Sequence, residues 1–177
     1  MDLKVYYEKI DINEIDRFIS EGQEENVNLE FKTVVHPNYN QHNREDDKKN
    51  ISKTFSGFAN SNGGIIVWGI NAKENASKQD IATDKKPITQ LTKFLNTLNR
   101  LEGQAVTPVI TGIEHKKIET SNDCGFVVSY IPASDFAPHM ANYSGKHYYK
   151  RSGDSFYTCE HYDIKDMFQR KHSAYLD

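Results

Sequence analysis

The stretch Phe55-Ser56-Gly57-Phe58-Ala59-Asn60-Ser61-Asn62-Gly63-Gly64-Ile65-Ile66-Val67-Trp68-Gly69-Ile70 constrains this chain more than any other. Ile51, Phe55, Phe58 and Ala59 recur at helical spacing, which predicts a helix from Asp47 to near Asn60. Asn62-Gly63-Gly64 has turn composition. Ile65 to Ile70 is apolar nearly throughout, with no polar alternate, which is the pattern of a strand covered on both faces. A strand of that kind lies inside a sheet with helices against it, so the expected class is α/β or α+β around one mixed sheet. The glycines are not a phosphate loop. There is no GxxxxGK[ST], and they follow a helix and precede a strand, the reverse of the P-loop order. They read as a tight turn that needs positive φ.

The flanks agree with one domain over residues 1–177. Asp11-Ile12-Asn13-Glu14 fits a capping box, and Ile12, Ile15, Phe18 and Ile19 keep helical spacing up to Gly22, giving a helix near 12–21. Val27, Leu29 and Phe31 alternate with Asn28, Glu30 and Lys32, which predicts a half-buried strand over Val27 to Val34 with Glu30 and Lys32 on its polar face. Residues 36–46 and 71–86 are polar and read as loops. Pro87 suits the first position of a third helix, with Ile88, Leu91, Phe94, Leu95, Leu98 and Leu101 on its apolar face. Thr107 to Ile118 and Gly125 to Ile131 read as strands joined by the turn Thr120 to Asp123. Pro132 to Ser144 reads as irregular and His147 to Arg151 as a strand. A last helix is expected from about Tyr162, with Ile164, Met167 and Phe168 facing inward.

Composition narrows the class. Apolar residues are 37% and charged residues 27%, a soluble globular profile. The longest apolar run is far below the roughly 20 residues of a membrane span. The N-terminus has no signal-peptide core, and neither Cys124 nor Cys159 belongs to a CxxC pair. The expected location is therefore cytoplasmic, with no membrane partner. The net charge of -3 is not that of a simple nucleic-acid binder. It is uneven, with nine acids against three bases in residues 1–30, so any phosphate-binding surface lies beyond that segment.

Two segments hold candidate chemistry. Glu25-Asn26-Val27-Asn28-Leu29-Glu30-Phe31-Lys32 sets two carboxylates five apart with a lysine beyond. Carboxylates hold magnesium or manganese against phosphate in nucleases. A spacing of five places them on opposite faces of a strand, so they converge only if Glu25 lies in a bend before it. Spacing alone favours an exposed acid plus a strand-face Glu30–Lys32 neighbour pair. The other segment, Lys146-His147-Tyr148-Tyr149-Lys150-Arg151-Ser152-Gly153-Asp154-Ser155, alternates bases and aromatics. Bases can contact phosphates and tyrosines can stack on nucleic-acid bases, or the segment is an amphipathic edge strand with its turn.

Taken in order, these motifs resemble the AlbA-type domain of Schlafen proteins and of many bacterial regulators. Glu25 to Lys32 resembles that family's E-x-x-x-x-E-F-K opening. Phe58 to Gly64, followed by Ile65 to Ile70, resembles its A-F-A-N-T-x-G-G strand signature. Tyr148 to Ser155 resembles its closing aromatic, arginine, x, glycine, small-residue motif. The resemblance covers roughly residues 20–170 and implies a Schlafen AlbA-like fold that binds nucleic acid. Some Schlafen members cut transfer or ribosomal RNA with three carboxylates, and two of these match Glu25 and Glu30. The third usually follows the apolar strand. There this chain reads Gly69-Ile70-Asn71-Ala72, with Glu74 close by. The resemblance thus implies a nucleic-acid-binding domain and a candidate metal-dependent endonuclease, RNA before DNA. Glu25, Glu30, Asn71 and Glu74 would be the ligands of magnesium or manganese, and Lys32 would act on the scissile phosphate. Lys146, Tyr149, Lys150 and Arg151 would hold the strand, and a homodimer is the assembly kept open. The alternatives are a binding-only module, favoured by the missing acid at Asn71, and a nucleotide-binding regulator, which the lack of a P-loop opposes.

Overall fold

The computed structural model describes residues 2–34 and 45–173. The chain runs α1 (Leu3–Lys9), α2 (Ile12–Glu21), β1 (Leu29–Lys32), α3 (Glu45–Ala59), β2 (Gly64–Trp68), β3 (Ile70–Glu74), β4 (Asp80–Lys85), β5 (Ile88–Thr89), α4 (Leu91–Leu101), β6 (Val106–Thr107), β7 (Glu114–Ser121), β8 (Cys124–Ile131), β9 (Met140–Ala141), β10 (Tyr149–Ser152), β11 (Ser155–Thr158) and α5 (His161–Ser173).

Strand β2 occupies the middle of a mixed five-stranded sheet. It pairs in parallel with β1 and antiparallel with β8, while β5 and β7 also pair with β8. Its side chains divide between two cores. Ile66 and Trp68 join Ile51, Phe55, Phe58 and Phe94 of α3 and α4, whereas Ile65 and Val67 join Tyr7, Ile15 and Phe18 of α1 and α2. This two-sided cover is why the run lacks alternation. The one polar atom of Trp68 is also satisfied, since its Nε1–H donates to Ser129 Oγ at 2.9 Å.

Local chemistry explains several boundaries. Asp11 caps α2 by accepting the Glu14 N–H, and Gly22 ends it in the left-handed conformation. Gly63 has φ +73, as the turn before β2 requires. Gly69, at φ +103, breaks the expected strand, so Ile70 opens a second strand with a new direction.

Other expectations are corrected. Residues 70–85 are not a loop but the hairpin β3–β4, with a register shift at Asn71/Ala72. Its polar composition belongs to a ribbon of which Lys73, Glu74, Asp84 and Lys85 stay exposed. Ile88 is buried, as its apolar character demands, but within β5; the helix starts at Leu91, where Asp123 Oδ1 accepts the Thr92 N–H. The strand over Thr107 to Ile118 is split into β6 and β7. Helix α1 and strands β9 and β11 are additional. Phe168 is 52% exposed and Tyr162 80%, so α5 does not turn Phe168 inward. Helix α3 begins at Glu45, earlier than expected, so Glu45 and Asp46 are helical, and the rest of the loop expected at 36–46 falls outside the described residues.

Asn60 joins the N-terminal and C-terminal parts. Its Oδ1 accepts the His139 N–H at 2.7 Å, and its Nδ2 donates to His139 O at 3.0 Å and Tyr149 O at 2.9 Å. Ser56 Oγ and Ser61 Oγ accept the N–H groups of Tyr149 and Arg151. Side chains at and just past the end of α3 thus bind the backbone of β10 and set it beside β1. Close packing helps, because Gly57 leaves only enough room for Phe156 of β11.

Candidate functional site

The two carboxylates converge because of a reversal in the backbone before β1. Asn26 and Leu29 exchange backbone hydrogen bonds around the turn Val27-Asn28, and Asn28 N–H is accepted by Asn26 Oδ1. Residues 24–26 therefore run back along β1, with Glu24 bridged to Ile81 on the other side. Glu25 comes to lie next to Phe31, whose N–H donates to Glu25 Oε1 at 2.9 Å. The bend required for the two acids to meet is present.

Glu30 points to the α3 side of β1, opposite to Leu29 and Phe31. That face was expected to be solvated, but β10 covers it and Glu30 is 2% exposed. Arg151 of β10 supplies the cover. Its Nη1 donates to Glu30 Oε2 at 2.5 Å, its Nη2 to Asn26 O at 2.9 Å and Leu29 O at 3.1 Å, and its guanidinium carbon is 4.5 Å from the Phe156 ring centroid. Lys32 forms a second, short ion pair with Glu30. A buried carboxylate is costly unless paired, and Glu30 has two cations.

Glu25 is less well served. Its Oε2 is 4.0 Å from Arg151 Nη2, at the limit of an ion pair. Burial, and then the charge of Glu30, push its carboxyl up to about 8, against the opposing pull of the Phe31 N–H, Lys32 and Arg151. The floor thus carries a Glu25 whose charged form is disfavoured and a doubly paired Glu30.

A cleft of about 360 Å³ opens over this floor, lined by Glu25, Glu30, Lys32, Lys53, Asn71 and Asp80, with Asp154 and Ser155 at its border. Of the expected ligands, Asn71 borders it with the two glutamates, whereas Glu74 is exposed at the end of β3 and is not part of the wall. Asp80 and Lys53 were not anticipated. Asp80 sits in the segment read as loop, and Lys53 lies on a helical face whose destination is set only by tertiary packing. The hard oxygens of Glu25, Glu30, Asn71 and Asp80 suit magnesium or manganese in kind. Among the described residues, however, no three His, Cys, Asp or Glu side chains gather closely enough to hold an ion.

The expected nucleic-acid contacts do not form one surface. Arg151 is buried. Tyr149 is 8% exposed, with its hydroxyl bonded to Ser144 Oγ. Lys150 Nζ donates to both carboxylate oxygens of Asp163 on α5, at 2.8 Å each, and only Lys146 is fully exposed.

The family model described as Schlafen, AlbA_2 matches residues 25–160, from Glu25 to beyond β11. No curated protein matches the chain significantly. The N-terminal domain of an ATP-dependent DNA helicase RecG-related protein from Nitrosomonas europaea has a similar fold, at TM-score 0.51 and 18% identity, covering 85% of this chain and 92% of that one. A Corynebacterium diphtheriae protein aligns at TM-score 0.49 and 11% identity over 92% of this chain, which spans only 28% of that protein. Among the described residues no helix is long and apolar enough to cross a membrane.

Proposed function

Because the chain belongs to the family described as Schlafen, AlbA_2, we propose that it is a nucleic-acid-binding domain whose cleft beside β1 takes the sugar-phosphate backbone. One observation carries this reading. The two acids at the floor are buried and face cations, Glu30 in ion pairs with Arg151 and Lys32 and Glu25 beside Arg151, so a phosphate does not face a bare carboxylate pair. Lys32, whose side chain is 30% exposed, stays within reach from the cleft. RNA is the preferred ligand over DNA. The test is fluorescence anisotropy with labelled RNA and DNA of one sequence over a salt series. Affinity should fall as salt rises, because phosphate contacts release counterions. Absence of binding to both ligands at about 50 mM salt would refute the reading.

A metal-dependent endonuclease is the second reading, favoured by the repulsion between Glu25 and Glu30 across one cleft, which a divalent cation would relieve. Glu25 and Glu30 would hold it, with the Asn71 carbonyl as a third donor. When bound, magnesium or manganese supplies a water of lowered pKa. Lys32 would then leave Glu30 to meet charge on the scissile phosphate. Manganese-dependent RNA cleavage that Glu25→Gln abolishes is the expected result, and cleavage that survives this change would exclude the site.

A further inference from the structure

We propose that Lys53 of α3 and Lys32 of β1 form a paired-lysine site for one phosphate anion, the point at which the cleft receives a backbone phosphate. The inference rests on the nucleic-acid-binding reading and assigns its contact residues.

Lys53 differs from the other lysines of its helix. Lys48 pairs with Glu45 and Lys49 with Asp46, both within α3. Lys53 forms no ion pair among the described residues; its Nζ stands 5.6 Å from the Tyr149 ring centroid. It lines the same cleft as Lys32. Partial burial lowers its pKa, and the nearby charge of Lys32 lowers it further, with Glu30 opposing. Two lysines thus line one partly dehydrated cleft, and Glu30, which acts on both, is already shared between Lys32 and Arg151. Without a ligand this arrangement is unfavourable. An anion seated between them reverses the sign, because each lysine gains a charge-assisted hydrogen bond while their mutual repulsion is screened.

The surroundings define the anion. The walls add the hydroxyl of Thr33, a group suited to phosphate oxygens, whereas the Asn71 amide and the Ser155 hydroxyl donate to Asp84 and Asp154. The volume of about 360 Å³ is at the lower end of small-molecule sites, enough for one nucleotide unit. The rim acids Asp80 and Asp154 oppose a second anion nearby.

The test uses wild type with Lys53→Met, Lys53→Gln, Lys53→Arg and the control Lys49→Met, measured for RNA affinity over a salt series and for melting temperature. Lys53→Met should weaken binding about tenfold or more and reduce the salt slope by about one ion. Lys53→Arg should keep most of the affinity, and Lys49→Met should stay near wild type. The melting temperature of Lys53→Met should not fall, because a desolvated and unpaired cation has been removed; a merely structural lysine would lower it. Equal affinity of wild type and Lys53→Met overturns the proposal. If Lys53→Met melts early, the other two variants decide: retention by Lys53→Arg with loss by Lys53→Gln supports the site, and equal affinities overturn it. If wild type binds neither RNA nor DNA, the nucleic-acid reading has failed, and inorganic phosphate at constant ionic strength tests the lysine pair alone. A phosphate-induced rise in melting temperature that Lys53→Met lacks supports the pair, and no rise in wild type overturns it.

Discussion

Arg151 Nη1 stands 2.5 Å from Glu30 Oε2, with both side chains almost entirely withdrawn from water. Removing one partner leaves the other charge buried and alone. Arg151→Ala should therefore destabilise the protein by about 3–5 kcal/mol. Arg151→Lys should recover little, since an ammonium cannot serve Glu30, Asn26 O and Leu29 O together. Urea denaturation measures both, and an unchanged midpoint for Arg151→Ala would contradict the internal role.

Glu25 makes stability depend on pH. Its carboxyl is pushed up to about 8 in the folded protein, above the value of about 4.3 for a free glutamic acid. Between these values the folded state holds a proton that the unfolded chain has released. Stability contributed by this group is complete below the lower value and is lost as pH rises through the window, at up to about 1.4 kcal/mol per pH unit. Glu25→Gln keeps a carbonyl oxygen for the Phe31 N–H and has no proton to lose. Its stability relative to wild type should rise from about pH 5 to about pH 8. Parallel curves for the two proteins would show that Glu25 is not shifted.

Asn71 offers a test of the metal reading that does not need RNA. Asn71→Asp adds a carboxylate to a wall already shared with Glu25 and Glu30. It should tighten binding of manganese alone, measured calorimetrically, because a third hard anionic donor is supplied. No heat beyond that of wild type would leave the binding-only reading.

Gly57 tests the packing that holds β11. Alanine is normally better than glycine in a helix, by about 1 kcal/mol. At this position an added Cβ would lie 2.2 Å from Phe156 Cδ1. Overpacking should outweigh propensity, so Gly57→Ala is expected to lower stability by about 1–3 kcal/mol. Adding Phe156→Ala should remove most of the further loss, a coupling that a double-mutant cycle reads directly.

Legibility in the sequence followed distance along the chain. Ile66 and Trp68 declared a covered strand because both faces of one short run are apolar, and Asp11 and Gly22 marked the ends of α2 by local capping. The condition for Glu25 and Glu30 to meet was also readable, as a bend before β1. The β3–β4 hairpin was not, because Asn, Lys, Glu and Asp dominate the ribbon and the side chains it packs on the core, Ala72 and Ala82, are too small to give it a clear period. Arg151 looked like a phosphate contact beside Lys150 and Tyr149. Nothing local states that β10 docks on the Glu30 face of β1, a consequence of Asn60 and Ser61 holding its backbone. Lys53 stayed silent for the same reason.

The arginine partner of Glu30 lies 121 positions later in the chain. A ribosome adding about 5–20 residues per second takes several seconds or more to cover that interval. Through that time the nascent carboxylates remain hydrated and the floor of the cleft does not exist. Its electrostatics are installed late in synthesis, by the docking of one short strand. A truncated product that stops before Arg151 would not be a smaller version of this domain, but a chain with an unfinished surface and two acids facing water.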